Sequence, residues 1–124
     1  MPNDWETVLR IAEEEVRAVI VSLPVELRQE AEKLPVNYDS RRDEDLQPLD
    51  LDGTLGLFVG ASHMHELEEL DSLPPQIILF LFNLWEFVEH DTAAFRSEVR
   101  TTYLHELGHY LGLEETDLED RGLL

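Results

Sequence analysis

The segment HELGHYLGLEE, residues 105–115, places two histidines four positions apart, with a glutamate directly after the first. Residues four apart on an α-helix lie on the same face, one turn from each other. If this segment is helical, His105 and His109 can direct two imidazole nitrogens at a single zinc ion. The sequence therefore predicts a helix that carries two metal ligands.

The helical pattern extends upstream to Thr92. With Phe95 set at 0° and about 100° per residue, the other apolar side chains fall between about 40° and 180°. They are Val99, Tyr103, Leu104, Leu107, Tyr110 and Leu111. His105 and His109 fall at about 280° and 320°, outside this stripe. Gly112 suits the left-handed cap that ends a helix. We therefore expect a helix from Thr92 to Gly112 with its histidines off the core.

Glu106 is predicted to be the general base of a hydrolase. It lies about 100° around the helix from His105, too far to share the first coordination shell easily, yet close enough to hydrogen-bond a water on the metal. Zinc lowers the pKa of such a water to about 7, and a carboxylate can then take its proton. The pattern H-E-x-x-H therefore predicts attack of a zinc-activated water on a carbonyl group.

The composition restricts the chemistry and the partners of the chain. Its 124 residues include no cysteine, so a thiolate nucleophile and a Cys-rich zinc finger are excluded, and a metal must be held by histidines and carboxylates. The formal net charge is −19, with 28 Asp and Glu against 9 Lys and Arg. This charge repels phosphate backbones, so we expect no nucleic-acid partner. A basic or neutral peptide approaches such a surface more easily.

The rest of the chain alternates between helix, strand and loop patterns, which predicts one α+β domain over residues 1–124. We expect one helix over 4–22, with Asp4 as N-cap, and a second helix within 23–34. Strands are expected in 35–40, 54–60 and 76–82. Loops are expected over 41–54 and 61–75, and a short helix or tail after 112. The N-terminus is acidic where a signal peptide is basic, and the apolar run 73–88 is too short to span a bilayer. We therefore expect a cytoplasmic protein without a membrane partner.

The segment HELGHYLG resembles the zincin metallopeptidases, whose classes differ in the third zinc ligand. One class takes a glutamate from a separate downstream helix, but only 15 residues follow His109. Metzincins have HExxHxxGxxH and a later methionine turn, whereas the methionines here, Met1 and Met64, lie upstream. Aspzincins have HExxHxxGxxD, which this chain matches through Gly112, with Glu115 in place of the aspartate.

Over residues 20–122 the chain most resembles the bacterial mini-zincins, which are small zincin-like metallopeptidases. The segments TLGLFVG, QIILFLF and EVRTTYLHELGHYLGL are similar to that family in order and spacing. The resemblance implies a minimal zincin fold, in which a small sheet packs against an N-terminal helix and the HExxH helix. It also implies that either strand 54–60 or strand 76–82 pairs with an extended substrate, although the apolar 76–82 run is better explained as buried core.

Glu115 is the preferred third ligand, because a glutamate carboxylate binds zinc and occupies the position of the aspzincin aspartate. Asp117 and Glu114 are the alternatives, and any of the three also suits an acidic helix cap. His63 and His65 form an H-x-H pair, which could bind a metal if the segment is extended. We interpret it instead as a loop pair, with a place near the substrate cleft as a further alternative.

These residues favour a zinc-dependent metallopeptidase that acts on short or flexible peptides or a small protein, with an oligomeric state that the sequence leaves open. The alternative is a zinc-binding protein that retains the site with little or no peptidase activity, since no residue is assigned to stabilise an oxyanion. A third interpretation is an interaction domain that uses its acidic surface. We expect Tyr103 in the core, Tyr110 turned away from the metal and His90 at the surface. Glu98 is best explained as an exposed carboxylate, and the alternative is that it orients a metal-binding histidine through a hydrogen bond.

Overall fold

The computed structural model describes residues 4–60 and 74–112, and these residues form the predicted α+β fold. The helices are α1 (Asp4–Ser22), α2 (Val25–Lys33), α3 (Asp43–Leu46), α4 (Leu81–Phe87) and α5 (Thr92–Leu111). The strands are β1 (Val36–Asp39), β2 (Gly56–Val59) and β3 (Gln76–Phe80), and a 3-10 helix spans Gln47–Leu49.

The three strands form one sheet with β3 in the centre. β1 pairs with β3 in parallel, and β2 pairs with it in antiparallel orientation. Across the β2–β3 pair, Gly56 lies opposite Leu79 and Phe58 lies opposite Ile77. Ile77 and Leu79 are fully buried, because alternate side chains of a strand point to the same face and this face packs on the helices. Because β3 is the central strand, both of its edges are already paired with other strands. Segment 76–82 is therefore better explained as buried core than as an edge that pairs with a substrate.

The long helix α5 contacts α1, α4, β2 and β3, so it lies between the N-terminal helix and the sheet. Its buried apolar residues are Phe95, Val99, Tyr103 and Leu107, which recur every four residues as the sequence predicts. From α1, Val8, Ile11, Ala12, Val16, Val19 and Ile20 join the same core. The histidines of α5 lie outside this interface and are exposed.

Both ends of α5 are capped. The Oδ1 atom of Asp91 accepts a hydrogen bond from the Ala94 backbone N–H at 2.9 Å. At the other end, Gly112 has φ 73° and its N–H donates to the carbonyl groups of Gly108 and His109. Glycine adopts this left-handed conformation without a Cβ clash. The predicted helix from Thr92 to Gly112 is confirmed, and the chain changes direction three residues after His109.

The prediction of a loop over 41–54 is wrong, because this segment contains α3 and the 3-10 helix. Arg42 donates its backbone N–H to a carboxylate oxygen of Asp45 at 3.2 Å, which caps the first turn of α3. The Gly53 N–H donates to Asp43 and ties the end of the segment back to its start. Side chain to backbone bonds of this kind, rather than apolar periodicity, form the turn.

The predicted strand 76–82 is too long at its C-terminal end. β3 stops at Phe80, and Leu81 begins α4. Leu81, Phe82 and Leu84 are all buried, so the apolar run is continuous across the change from strand to helix. Short apolar runs of this kind do not distinguish a strand from a buried helix. Asn83, expected to end the strand, lies inside α4 and donates from Nδ2 to the carbonyl oxygen of Thr54 at 2.9 Å.

The remaining elements agree with the sequence. The structure contains the predicted helices, 4–22 and 25–33, and the predicted strands within 35–40 and 54–60. Two boundaries differ slightly: Asp4 is the first helical residue rather than the cap, and Pro24 precedes α2. Residues 61–73 of the predicted loop 61–75 and the predicted tail after 112 lie outside the described residues. Within the described ranges, no helix is both long and apolar enough to cross a membrane.

Candidate metal centre

The two histidines of α5 converge on one point. Their Nε2 atoms are 3.1 Å apart, and their rings meet edge to face with centroids 4.6 Å apart. Two nitrogens held 2.0–2.1 Å from a tetrahedral ion lie about 3.3 Å from each other. The separation of the Nε2 atoms of His105 and His109 therefore fits the separation that zinc requires. Imidazole nitrogens are also ligands that zinc prefers.

Glu106 is held differently from the histidines. It is only 9% exposed, whereas His105 and His109 are exposed. A carboxylate oxygen of Glu106 and the ligand nitrogens of both histidines all lie within 4.8 Å of one another. The side chain thus lies at the border between the core stripe and the histidine face, where its charged end reaches the centre and its stem is packed. This placement suits a proton acceptor beside a metal.

The close approach of β2 to α5 depends on Gly56. A Cβ atom built on Gly56 would lie 2.6 Å from Cγ2 of Thr102 and 3.4 Å from Cγ of Glu106. Any side chain at this position would push the strand away from the helix. Further along β2, the ring of Phe58 packs on that of Tyr110 with centroids 5.7 Å apart. The strand therefore runs beside the helix turn that carries Glu106.

A cleft of about 300 Å³ opens next to this contact. It is lined by Leu55, Gly56, Glu98, Thr101, Thr102, His105 and Glu106. Glu98 lines the cleft and is partly buried, so the expectation of a plainly exposed carboxylate is wrong in this respect. These described lining residues include two carboxylates and no cationic or phenolic group. The cleft therefore carries negative charge next to the histidines.

Tyr103 and His90 lie outside the metal centre. Tyr103 is fully buried, as expected, and its hydroxyl has no hydrogen-bond partner among the described residues. Burial, and next the neighbouring Tyr38, raises the pKa of Tyr103 well above its ordinary value. His90 is exposed, pairs with Glu86 at 2.9 Å and stacks on the ring of Trp85.

Several candidates fall on residues that the structure leaves undescribed. The preferred third ligand Glu115, its alternatives Asp117 and Glu114, and the pair His63 and His65 all lie outside 4–60 and 74–112. Their roles therefore stay predictions.

Sequence reasoning missed four residues of the cleft, namely Leu55, Gly56, Thr101 and Thr102. A glycine inside a strand pattern signals a close backbone approach, and this signal was present at Gly56. The partner that approaches, Thr102, follows only from the packing of β2 on α5.

Comparison with protein families gives a match over residues 31–123 to the model of the zincin-like metallopeptidases. The matched range includes the sheet, α5 and the His105–Glu106–His109 group. A comparison with curated proteins gives no significant match.

Proposed function

Because the chain belongs to the zincin-like metallopeptidase family, we propose that it is a zinc-dependent peptidase with Glu106 as its general base. The proposal is carried by one observation. One ring nitrogen each of His105 and His109 and a carboxylate oxygen of Glu106 lie within 4.8 Å of one another on α5. These are two ligands and one base in the arrangement that metal-assisted hydrolysis requires.

In this proposal His105 and His109 hold the zinc ion, and Glu115 supplies the third ligand, with Asp117 or Glu114 as alternatives. The left-handed conformation of Gly112 supports a ligand from the tail, since it redirects the chain directly after the last turn of α5. When bound, zinc polarises the substrate carbonyl and makes a water molecule more acidic.

Glu106 accepts a proton from the attacking water and returns it to the leaving amine. Its burial supports this role in two ways. The Gly56 backbone lies beside the Glu106 stem, which limits the rotamers that the carboxylate can adopt. Removal from bulk solvent also strengthens its electrostatic interaction with a developing positive charge.

The substrate in this proposal is an extended peptide of neutral or basic character. Among the described residues, β2 is an edge strand that pairs with β3 alone, and its Gly56 lies beside Glu106. An extended peptide can add to such an edge through backbone hydrogen bonds. Glu98 in the cleft and a net charge of −19 both disfavour acidic peptides.

The test compares the full-length wild type with Glu106→Gln, an isosteric variant that leaves the histidines intact. We expect Glu106→Gln to retain one zinc per chain and to hydrolyse a fluorogenic peptide roughly 10²- to 10⁴-fold more slowly. A chelator should abolish wild-type turnover, and added zinc should restore it. Equal turnover by the two proteins contradicts the proposed mechanism.

A second candidate function is zinc binding with little turnover. It is favoured by the described lining of the cleft, which offers the hydroxyls of Thr101 and Thr102 but no cationic or phenolic group to stabilise an oxyanion. In the same assay, a wild type that binds zinc but leaves all peptides intact supports this candidate.

A further inference from the structure

A second cavity, of about 690 Å³, lies next to the cleft at the metal centre. Its walls come from the segment between Arg42 and Gly53 on one side and from α4 on the other. Leu55 lines both this cavity and the cleft that contains His105 and Glu106. The volume lies within the range of about 300–1,000 Å³ that is typical of small-molecule sites. A peptide at the metal centre therefore has beside it a space large enough to hold a bulky side chain.

The apolar part of this cavity is formed by Leu55, Phe82 and Phe87. Phe82 is 7% exposed and anchored in the core, whereas Phe87 is 62% exposed. A large aromatic side chain so exposed on a short helix gains little from the fold itself. Its position at the cavity provides an apolar surface that a ligand can cover.

The charged side chains that line the cavity restrict which ligands it can bind. Three carboxylates, those of Asp43, Glu44 and Glu86, line the cavity together with one cation, Arg42. The carboxylates disfavour an acidic ligand. The guanidinium carbon of Arg42 lies 3.8 Å from the centroid of the Phe82 ring, so the cation site on this ring is already occupied. A bulky apolar side chain fits the remaining surface better than an acidic or a basic one.

We propose that this cavity is a specificity pocket that binds a bulky apolar side chain of the peptide, next to the bond that is cleaved. The inference rests on the proposed function, since it places the peptide backbone at the cleft of α5. Leu55 connects the two spaces. Phe87 supplies contact area to the ligand, and Arg42 keeps a second cation away from Phe82.

The test measures binding rather than turnover. Two series of hydroxamates, acetyl-X-hydroxamates and hydroxamoylacetyl-X-amides, place a residue X on opposite flanks of the zinc-binding group. Calorimetry on the zinc-loaded full chain compares X as Gly, Phe, Lys and Glu. In one of the two series, we expect the Phe compound to bind roughly tenfold more tightly than the Gly compound, and the Glu compound to bind no better than Gly.

Variants of the cavity test whether side chain X binds in it. Phe87→Ala should reduce the advantage of Phe over Gly about threefold. The matched control Val25→Ala removes another exposed apolar side chain, 57% exposed and outside the cavity, and should leave the advantage unchanged. Arg42→Gln should improve binding of the Lys compound, because it frees the face of Phe82.

The inference is overturned if Phe shows no advantage over Gly in both series, or if Phe87→Ala leaves that advantage intact. A different result identifies failure of the proposed function. If the Gly compounds of both series fail to bind the zinc-loaded chain, the metal centre itself is wrong, and the specificity pocket is rejected with it.

Discussion

Glu106 is a charged residue in a place where burial alone would be unfavourable. A carboxylate removed from water loses hydration, and a nearby cation or hydrogen bond must offset that loss. The histidine pair beside it is where a metal cation would lie in the proposed function. The burial of Glu106 is thus better explained by the chemistry of the site than by the stability of the helix.

At the residue scale, Gly56→Ala should separate β2 from α5. The new Cβ would lie 2.6 Å from Cγ2 of Thr102, a distance that requires the strand or the helix to shift. We expect the free energy of unfolding to fall by about 1–3 kcal/mol and turnover to fall with it. Urea denaturation measures the first effect and peptide hydrolysis the second.

The control for this prediction removes the atom that clashes. Thr102→Ser lacks Cγ2, so the double variant Gly56→Ala/Thr102→Ser should recover part of the lost stability relative to Gly56→Ala. A Gly56→Ala protein as stable as the wild type shows that the contact is not close.

The histidine pair could be predicted from the sequence because the spacing of His105 and His109 is local to one helix. The burial of Glu106 was not predicted, although its place at about 20° on the helical wheel, between Phe95 and Val99, indicates it. The packing of Gly56 on Thr102 could not be predicted, because it joins residues distant in sequence. Which tail carboxylate completes the proposed centre is likewise undetermined by spacing alone.

At the scale of the elements, α5 was predictable over its whole length and α4 was not. Twenty residues of regular periodicity and a capping aspartate define α5. In α4, Leu81 and Phe82 continue the apolar run of β3, so the boundary between strand and helix depends on tertiary packing. The turn α3 is defined by side chain to backbone bonds among charged residues, which apolar patterns do not reveal.

The cap of α5 gives a prediction for this element. Asp91→Ala removes the acceptor for the Ala94 N–H, and we expect it to lower the free energy of unfolding by about 0.5–2 kcal/mol. Asp91→Asn keeps an oxygen acceptor and serves as the matched control, which should lie close to the wild type. Equal denaturation midpoints for the alanine and asparagine variants would show that this cap contributes nothing.

At the scale of the whole molecule, Tyr103 in the core and Tyr38, which packs against the core, make the fold sensitive to alkali. Burial, and next the charge of Glu13, raises the pKa of Tyr38 to about 12. The pKa of Tyr103 is raised for the same first reason. The folded protein therefore binds the phenolic protons more tightly than the unfolded chain, whose tyrosines titrate near 10.

Because both pKa values are raised in the folded protein, the free energy of unfolding decreases at alkaline pH. The stabilisation is fully present below pH 10, the unfolded pKa, and is lost as the pH rises through the folded values. We expect the free energy of unfolding to fall between pH 9 and pH 11, and to fall less in a Tyr38→Phe/Tyr103→Phe variant. Urea titrations at the two pH values measure both slopes, and identical slopes for the two proteins contradict the assignment.

The central claim is that His105 and His109 hold zinc on the exposed face of α5. The most direct measurement is the zinc content of the untagged full-length protein, compared among wild type, His109→Ala and the control His90→Ala, a histidine outside the centre. We predict about one zinc per chain in the wild type and in His90→Ala, and little in His109→Ala. Equal zinc in wild type and His109→Ala, or none in any of the three after incubation with zinc, would contradict the account.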